Sequence, residues 1–306
     1  MKRKTIESII DGKFKKWVNT IEDEDIQELV MENTIITGGC IVSMFQNDPP
    51  NDFDVYFTNK ETALKVAEYY VDKYNKKYNK NIEVHETDEG RIKIYVESEG
   101  VSEVEAEKET DENDNEDETF LGLYNLELLN EMRQNELIKN KQANHNKGKY
   151  KPVFLSSNAI TLTDKIQIVV RFYGSPKEIH DNFDFIHCTN YWLSSDRKLY
   201  TNTDALESIL SKHLYYHGSK YPLCSIIRTR KFLQRGWHIN AGQYLKMAMQ
   251  LNELDLKDVG VLEDQLIGVD AAYFTMIIED LKKQKELDEN FEIDSGYVAS
   301  LVDKIF

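Results

Sequence analysis

The sequence predicts a mixed α/β sheet with flanking helices, followed by a helical C-terminal domain. Three observations carry this. Short β-rich runs ending in glycine or turn residues occupy 34–39 and 51–57. Further alternating runs follow a long amphipathic stretch, and from about Ser194 the apolar spacing becomes helical almost throughout. The expected organisation is an N-terminal helical segment over 1–30, an α/β domain over 31–193, and a helical domain over 194–306.

NTIITGG reads as a strand that ends in glycines, and CIVSMFQ is long enough for two helical turns. The turn sequence NDPPN then leads into NDFDVYF, a second strand. ETALKVAEYYVDKYN places Leu64, Ala67, Val71 and Tyr74 at helical spacing and should cover the sheet. NIEVHETDEGRIKIYVES alternates like a hairpin. KPVFL, ITLT and IQIVVRF continue as strands, SPKEI opens a helix with Ser175 as N-cap and Pro176 at its first position, and FDFIHC reads as a further strand. Helical stretches follow at TDALESILSKHLYY, CSIIRTRKFLQRG, INAGQYLKMAMQ, LEDQLIGVDAAYFTMIIEDLKKQ and SGYVASLVDKIF.

The 306 residues suffice for a sizeable core, and 41% hydrophobic with 11% aromatic residues is a globular composition. No apolar run approaches the roughly 20 residues a transmembrane helix needs. The basic start, MKRKTIESIIDGKFKKW, lacks the apolar stretch of a signal peptide, so a cytosolic protein without a membrane partner is expected. Cys40, Cys188 and Cys224 are widely separated, as befits buried free thiols in a reducing compartment. Of the net charge of −16, a segment from Glu97 to Glu118 contributes twelve acidic residues against one lysine. It reads as a solvated, disordered insertion.

The chemistry concentrates between residues 38 and 54. Asp52 and Asp54 lie two apart on a predicted strand, so both carboxylates share one face, about 6–7 Å apart. That spacing suits a pair of divalent ions about 3.5–4 Å apart. Gly38 and Gly39 end one strand where a helix begins, so bare N–H groups and the positive helix end can face a phosphate. An Asp-x-Asp or a Gly-Gly alone is commonly just a turn; their conjunction points to phosphoryl transfer, which needs metal-binding carboxylates and a phosphate cradle.

GGCIVSMFQNDPPNDFDVYF resembles the signature of DNA polymerase beta-type nucleotidyltransferases, Gly-Gly-Ser followed about a dozen residues later by Asp-hydrophobic-Asp. IQIVVRFYGSPKEIHDNFDFIHC and RTRKFLQRGW resemble the matching stretches of a viral and eukaryotic branch of that family, extending the resemblance over roughly 34–250. It implies a nucleotidyltransferase-type sheet, Mg²⁺ or Mn²⁺ as cofactor, an NTP substrate, and transfer of NMP to a hydroxyl acceptor such as an RNA or tRNA 3′ end. If the chain is viral, the site of action is the host cytoplasm. In this frame Asp52 and Asp54 hold metal and Gly38 and Gly39 cradle phosphate. Two departures stand out. Cys40 occupies the usual serine position, leaving Ser43 one turn later to supply a hydroxyl. The strand expected to carry a third acid carries Gln167, so Asp184 is assigned as third catalytic carboxylate and metal ligand, with Asp164 behind it.

From Ser208 to Asn252 there is no acidic residue. Arg228, Lys231 and Arg235 fall at i, i+3 and i+7, one helix face, with Gly236 placed to cap its end. That face would grip a triphosphate or a nucleic-acid backbone; its bland counterpart is a solvated stripe balancing the acidic segment. The five histidines between His180 and His238 lack the spacing of a metal site and read as core or surface residues. The rival function is a non-catalytic nucleotidyltransferase-like module that binds nucleic acid or serves a viral assembly, favoured by Cys40 and Gln167.

Overall fold

The computed structural model describes residues 1–87, 90–95 and 149–266, with 294, 296, 297, 299, 300 and 303. The acidic segment 97–118, most of the last long helical stretch and much of the C-terminal tail lie outside these. Two helices, α1 (Arg3–Val18) and α2 (Glu24–Asn33), precede β1 (Thr34–Thr37), α3 (Gly39–Gln46), β2 (Phe53–Phe57) and α4 (Lys60–Tyr78). The hairpin β3 (Glu83–Glu86) and β4 (Ile92–Tyr95) forms as its alternation predicts. Then come β5 (Pro152–Leu155), β6 (Ala159–Leu162), β7 (Ile166–Tyr173) and α5 (Pro176–His180). The remaining elements are β8 (Tyr191–Leu193), β9 (Lys198–Tyr200), α6 (Thr203–Ser211), β10 (His213–Leu214), α7 (Pro222–Gln234), β11 (His238–Ile239), α8 (Ala241–Leu251) and α9 (Val259–Leu266).

Seven strands form one mixed sheet in the order β5-β6-β7-β2-β1-β8-β9. Only β2 and β7 run parallel; the other pairs are antiparallel. Side chains alternate across it. One face sends Ile36, Phe53, Val55, Phe57, Ile166, Ile168 and Val170 into the main core, against Ile6, Ile10, Phe14 and Trp17 of α1 and Val66, Tyr70 and Tyr74 of α4. As the spacing predicts, Ala67, Val71 and Tyr74 are buried and Leu64 packs against this core. Asn59 caps α4, accepting from the Thr62 N–H at 2.9 Å. The opposite face carries Ile35, Tyr56, Val169 and Tyr191, partly covered by Ile179 of α5. Ser175 and Glu178 complete the capping box of α5.

The sequence reading differs from the structure at FDFIHC and in the region read as helical, where β9, β10 and β11 also form. FDFIHC is not a strand: Phe185 makes a single bridge to Tyr216, and Ile186–Cys188 is a 3₁₀ turn. The side chains explain this. Phe185 packs with Val42, Tyr216 and Trp237 in a second core, and Asp184 is drawn to Arg228 on α7. Sheet growth resumes with β8 and β9, the latter inside the stretch read as helical.

Candidate functional site

β1 and β2 set the site. Their antiparallel register puts Thr37 opposite Asp54, on the face turned away from the main core. Between the two strands the chain turns into α3 at Gly38, whose φ of 84° and ψ of −149° belong to a region that residues with a Cβ rarely enter. A Cβ built there would lie 3.0 Å from Oδ2 of Asp54. Gly38 therefore does two things: it makes the turn, and it lets the helix start lie directly on a carboxylate. A Cβ at Gly39 meets nothing within 4 Å, so the second glycine of the pair leaves open space at the first helical position. Cys40 is buried and its thiol donates to the Thr37 carbonyl at 3.4 Å, turned inward. Ser43, one turn on, faces the cavity.

That cavity, about 640 Å³, is walled by Gly38, Gly39, Ser43, Gln46 and Asp54 on one side, by Tyr56, Phe172, Phe183 and Asp184 along the sheet, and by Lys212, Arg228, Phe232, Arg235 and Trp237 on the other. Its volume is that of an ordinary small-ligand site. Seven of the residues singled out in the sequence thus meet in one place: Gly38, Gly39, Ser43, Asp54, Asp184, Arg228 and Arg235. Asp52 and Lys231 are not part of the wall. Asp52 immediately precedes β2, near enough to perturb Asp54. Lys231 is exposed on α7. Asp164 sits in the turn before β7, where its carbonyl accepts from the Lys13 ammonium, and it does not line the cavity.

The electrostatics of the two cavity carboxylates differ. Burial, with Asp52 beside it, pushes the Asp54 carboxyl up to about 7. Burial also raises Asp52, opposed by Lys165. No hydrogen bond or ion pair among the described residues engages either side chain. Asp184, 7% exposed, has a partner of its own: its Oδ2 accepts from the Arg228 guanidinium. Burial pulls Arg228 down, but Asp184, with Cys224 and Tyr56, outweighs it and holds the guanidinium above its usual value. Beside Asp54 across the parallel pair stands Gln167, which has no acidic character to contribute. Among the described residues no three histidine, cysteine or acidic side chains cluster as a ready metal site. Asp54, with no counter-charged partner among the described residues, and Asp52, which feels only the Lys165 charge, nevertheless fit a divalent cation, which would supply further positive charge.

Lys212 and Trp237, both from the acid-free basic segment, join the wall, as do His187 and Gln46, which the sequence did not mark as site residues. Lys212 arrives through the left-handed turn ending α6, at φ 50°. His187 arrives with the 3₁₀ turn that replaces the expected strand. The His187 placement has no local sequence signal, whereas Lys212 belongs to the segment free of acids. Gly236 does end α7 with φ 76°, as its position after the basic helix suggests.

This is a mixed α/β protein in which a glycine-opened helix meets a half-buried carboxylate inside a cavity lined by both acidic and basic side chains. The chain belongs to the Gabija anti-defense 2 family, whose model matches residues 8–212, from α1 to Lys212. A relative, Gabija anti-defense 2 of Bacillus phage SPbetaL7, is 22% identical over 143 residues, which cover 46% of this chain and 33% of that protein. The chain thus aligns with about a third of the length of the curated relative it matches. Among solved structures, the Thermotoga maritima CCA-adding enzyme complexed with tRNA aligns over 92% of this chain and 57% of its own, at 11% identity and a TM-score of 0.38. A tRNA nucleotidyltransferase complexed with a primer tRNA and an incoming ATP analogue aligns over 86% and 61%, at 12% identity and a TM-score of 0.36. In both cases the chain spans less than two thirds of the solved protein. No helix among the described residues is long and apolar enough to cross a membrane.

Proposed function

We propose that this chain is a metal-dependent nucleotidyltransferase of the DNA polymerase beta type, transferring NMP from an NTP to a hydroxyl acceptor, and that this activity serves to counter a host defence in the host cytoplasm. The observation that carries the reading is the contact between Gly38 and Asp54: a helix start held against a carboxylate that has no counter-charged partner among the described residues. Phosphoryl transfer requires that pairing of an anion cradle with a metal-holding acid.

Asp52 and Asp54 would hold Mg²⁺ or Mn²⁺, which when bound supplies positive charge to the phosphates. The chain's own groups do the rest. Gly39 donates its backbone N–H to a phosphate oxygen, Gly38, whose own N–H is held by the Cys188 carbonyl at 3.3 Å, leaves the room for that approach, and the Ser43 hydroxyl adds a donor one turn later. Arg228, fixed in place by Asp184, and Arg235 neutralise phosphate charge across the cavity, with Lys212 beside them. Lys231 lies on the exposed side of α7, where it serves a longer, nucleic-acid acceptor such as an RNA or tRNA 3′ end. In this scheme Asp184 acts through Arg228; a role as third metal ligand requires that ion pair to open.

The test is incubation with each radiolabelled NTP, Mg²⁺ or Mn²⁺ and a pool of RNA and host protein, alongside an Asp52→Ala, Asp54→Ala double variant. Label should pass to an acceptor only with the unaltered protein. A second reading, a nucleotide-binding module without catalysis, is favoured by Gln167 standing beside Asp54 where an acid is expected. It predicts NTP binding in the same assay with no transfer, and transfer by the unaltered protein would dispose of it.

A further inference from the structure

We infer that His180, which ends α5, is a positioning residue of the phosphate cradle: its Nε2–H holds the Thr37 hydroxyl, and through it the turn that sets Gly38 against Asp54. The inference rests on the cradle reading and adds what keeps the cradle in place. Thr37 closes β1 immediately before Gly38 and stands opposite Asp54 in the strand register. Its hydroxyl is enclosed by three groups: His180 Nε2 at 2.9 Å, the Asn190 carbonyl at 2.8 Å and the Cys188 carbonyl at 3.2 Å. A hydroxyl has one proton and a carbonyl oxygen only accepts, so the Thr37 proton goes to a carbonyl and the ring nitrogen is the donor. The reverse arrangement would leave two carbonyl oxygens facing the Thr37 oxygen with no proton between them.

The surroundings hold this link in place. Burial pushes the His180 imidazole down to about 4, so near neutral pH it carries one N–H, and the Thr37 contact assigns that proton to Nε2. The ring is packed by Phe183 and Tyr191, with centroids at 5.1 and 5.6 Å, and the capping box of Ser175 and Glu178 fixes the start of its short helix. The Cys188 carbonyl that faces the Thr37 hydroxyl also accepts the Gly38 N–H at 3.3 Å, and the Thr37 carbonyl accepts the Cys40 thiol at 3.4 Å. The residue before the cradle is thus tied at its side chain and at its carbonyl. The His180 carbonyl in turn accepts the Phe183 N–H at 2.9 Å. One residue therefore joins the cradle to the wall of the cavity formed by Phe183 and Asp184.

The experiment is a double-mutant cycle with a spectroscopic control. His180→Phe keeps the ring packing and removes the donor, His180→Gln keeps an amide N–H near the Nε2 position, and Thr37→Val removes the hydroxyl at nearly constant shape. Each variant, and His180→Phe combined with Thr37→Val, is checked by thermal melting and titrated by calorimetry with inorganic tripolyphosphate in Mg²⁺. His180→Phe and Thr37→Val should each weaken that binding about tenfold, the double variant no more than either, and His180→Gln should stay within about threefold of the native chain. Without ligand, hydrogen exchange at the Gly38 amide should speed up about tenfold in His180→Phe relative to the α4 amides, and should recover in His180→Gln. Additive losses, an equal loss in His180→Gln, or unchanged binding and Gly38 exchange in folded His180→Phe overturn the inference. Imidazole nitrogen NMR of the native chain should find His180 as the Nε2–H tautomer; the Nδ1–H tautomer overturns the inference whether or not the variants fold. Failure of the native chain to bind tripolyphosphate overturns the cradle reading instead, while the tautomer and the Gly38 exchange still decide the link from His180 to Thr37.

Discussion

Replacing Asp54 by asparagine should stabilise the protein at pH 8 in EDTA. The folded-state carboxyl titrates at about 7 against 3.8 unfolded. Between those values the folded chain holds a proton that the unfolded chain has lost, so stability falls as pH rises through this window and is level above it. Three pH units at about 1.36 kcal/mol each set a ceiling of about 4 kcal/mol, and the partial opening of Asp54 to the cavity reduces this to about 2–4 kcal/mol. The asparagine side chain carries no such charge. At about 2–4 °C per kcal/mol, the variant should melt about 5–10 °C higher than the native chain at pH 8. His180 and His187, lowered by burial to about 4 and about 3, act with the opposite sign: their contribution is lost as pH falls below the ordinary histidine value. The quantity to measure by calorimetry is therefore the difference between native and Asp54→Asn melting curves from pH 4 to 9. It should grow from near zero at pH 4 to its full value above pH 7. Adding Mg²⁺ at pH 8 should raise the native melting temperature and leave the variant's unchanged. Parallel curves across the whole range, or a less stable variant at pH 8, would refute the account of Asp54 as an uncompensated buried acid.

Gly38→Ala should cost at least about 1–3 kcal/mol in thermal melts, because it forces a Cβ into a strained backbone region and onto Asp54, whereas Gly39→Ala should cost far less. Arg228→Ala leaves the Asp184 carboxylate without this partner and, since the Arg228 side chain is 40% exposed, should destabilise by about 1–3 kcal/mol in denaturant titrations, more than Asp184→Asn, which leaves a neutral partner behind. Ser175→Ala removes one half of the α5 capping box and should cost about 1 kcal/mol by the same measurement. Lys212→Ala with Arg235→Ala should weaken tripolyphosphate binding and flatten its salt dependence without altering the melting temperature by more than a degree or two.

The order of strands and helices up to β7 was legible because each element follows a local rule. The β1 run is β-rich and ends in glycines, the β2 run alternates, α4 repeats every three to four residues, and Ser175 with Glu178 announces α5. Gly38 was legible as a turn, but its approach to Asp54 depends on the β1–β2 register, which no local pattern states. FDFIHC failed for a different reason. Its apolar alternation suits a strand, and the tertiary partners Arg228, Tyr216 and Trp237, thirty to fifty residues later, outweigh that preference. The same long-range pull brings His187 and Lys212 into the cavity. Arg228 and Arg235 were found because charge in a segment free of acids is visible without knowing the fold; Lys231, at the same helical spacing, ends outside the wall because its position on α7 turns it to solvent.

The cavity contains two answers to the same electrostatic difficulty. Asp184, the more buried acid, is compensated within the chain by Arg228, and a carboxylate so engaged has little left to offer a ligand. Among the described residues Asp54 receives no such partner, although Arg228 lines the same cavity and reaches Tyr56 on the same strand with its field. A chain selected for stability alone would place a neutral or apolar side chain at position 54, since Tyr56 on the same face of the strand, packed with Ile35 and Ile179, shows that this face accepts them. Keeping a carboxylate there, with a second at position 52 raising its proton affinity further, makes sense when the compensating charge comes from outside the chain. The same logic explains Gly38: only a residue without a Cβ leaves the Asp54 oxygen and the first N–H groups of α3 open to one shared occupant, cation on the acid and anion on the helix.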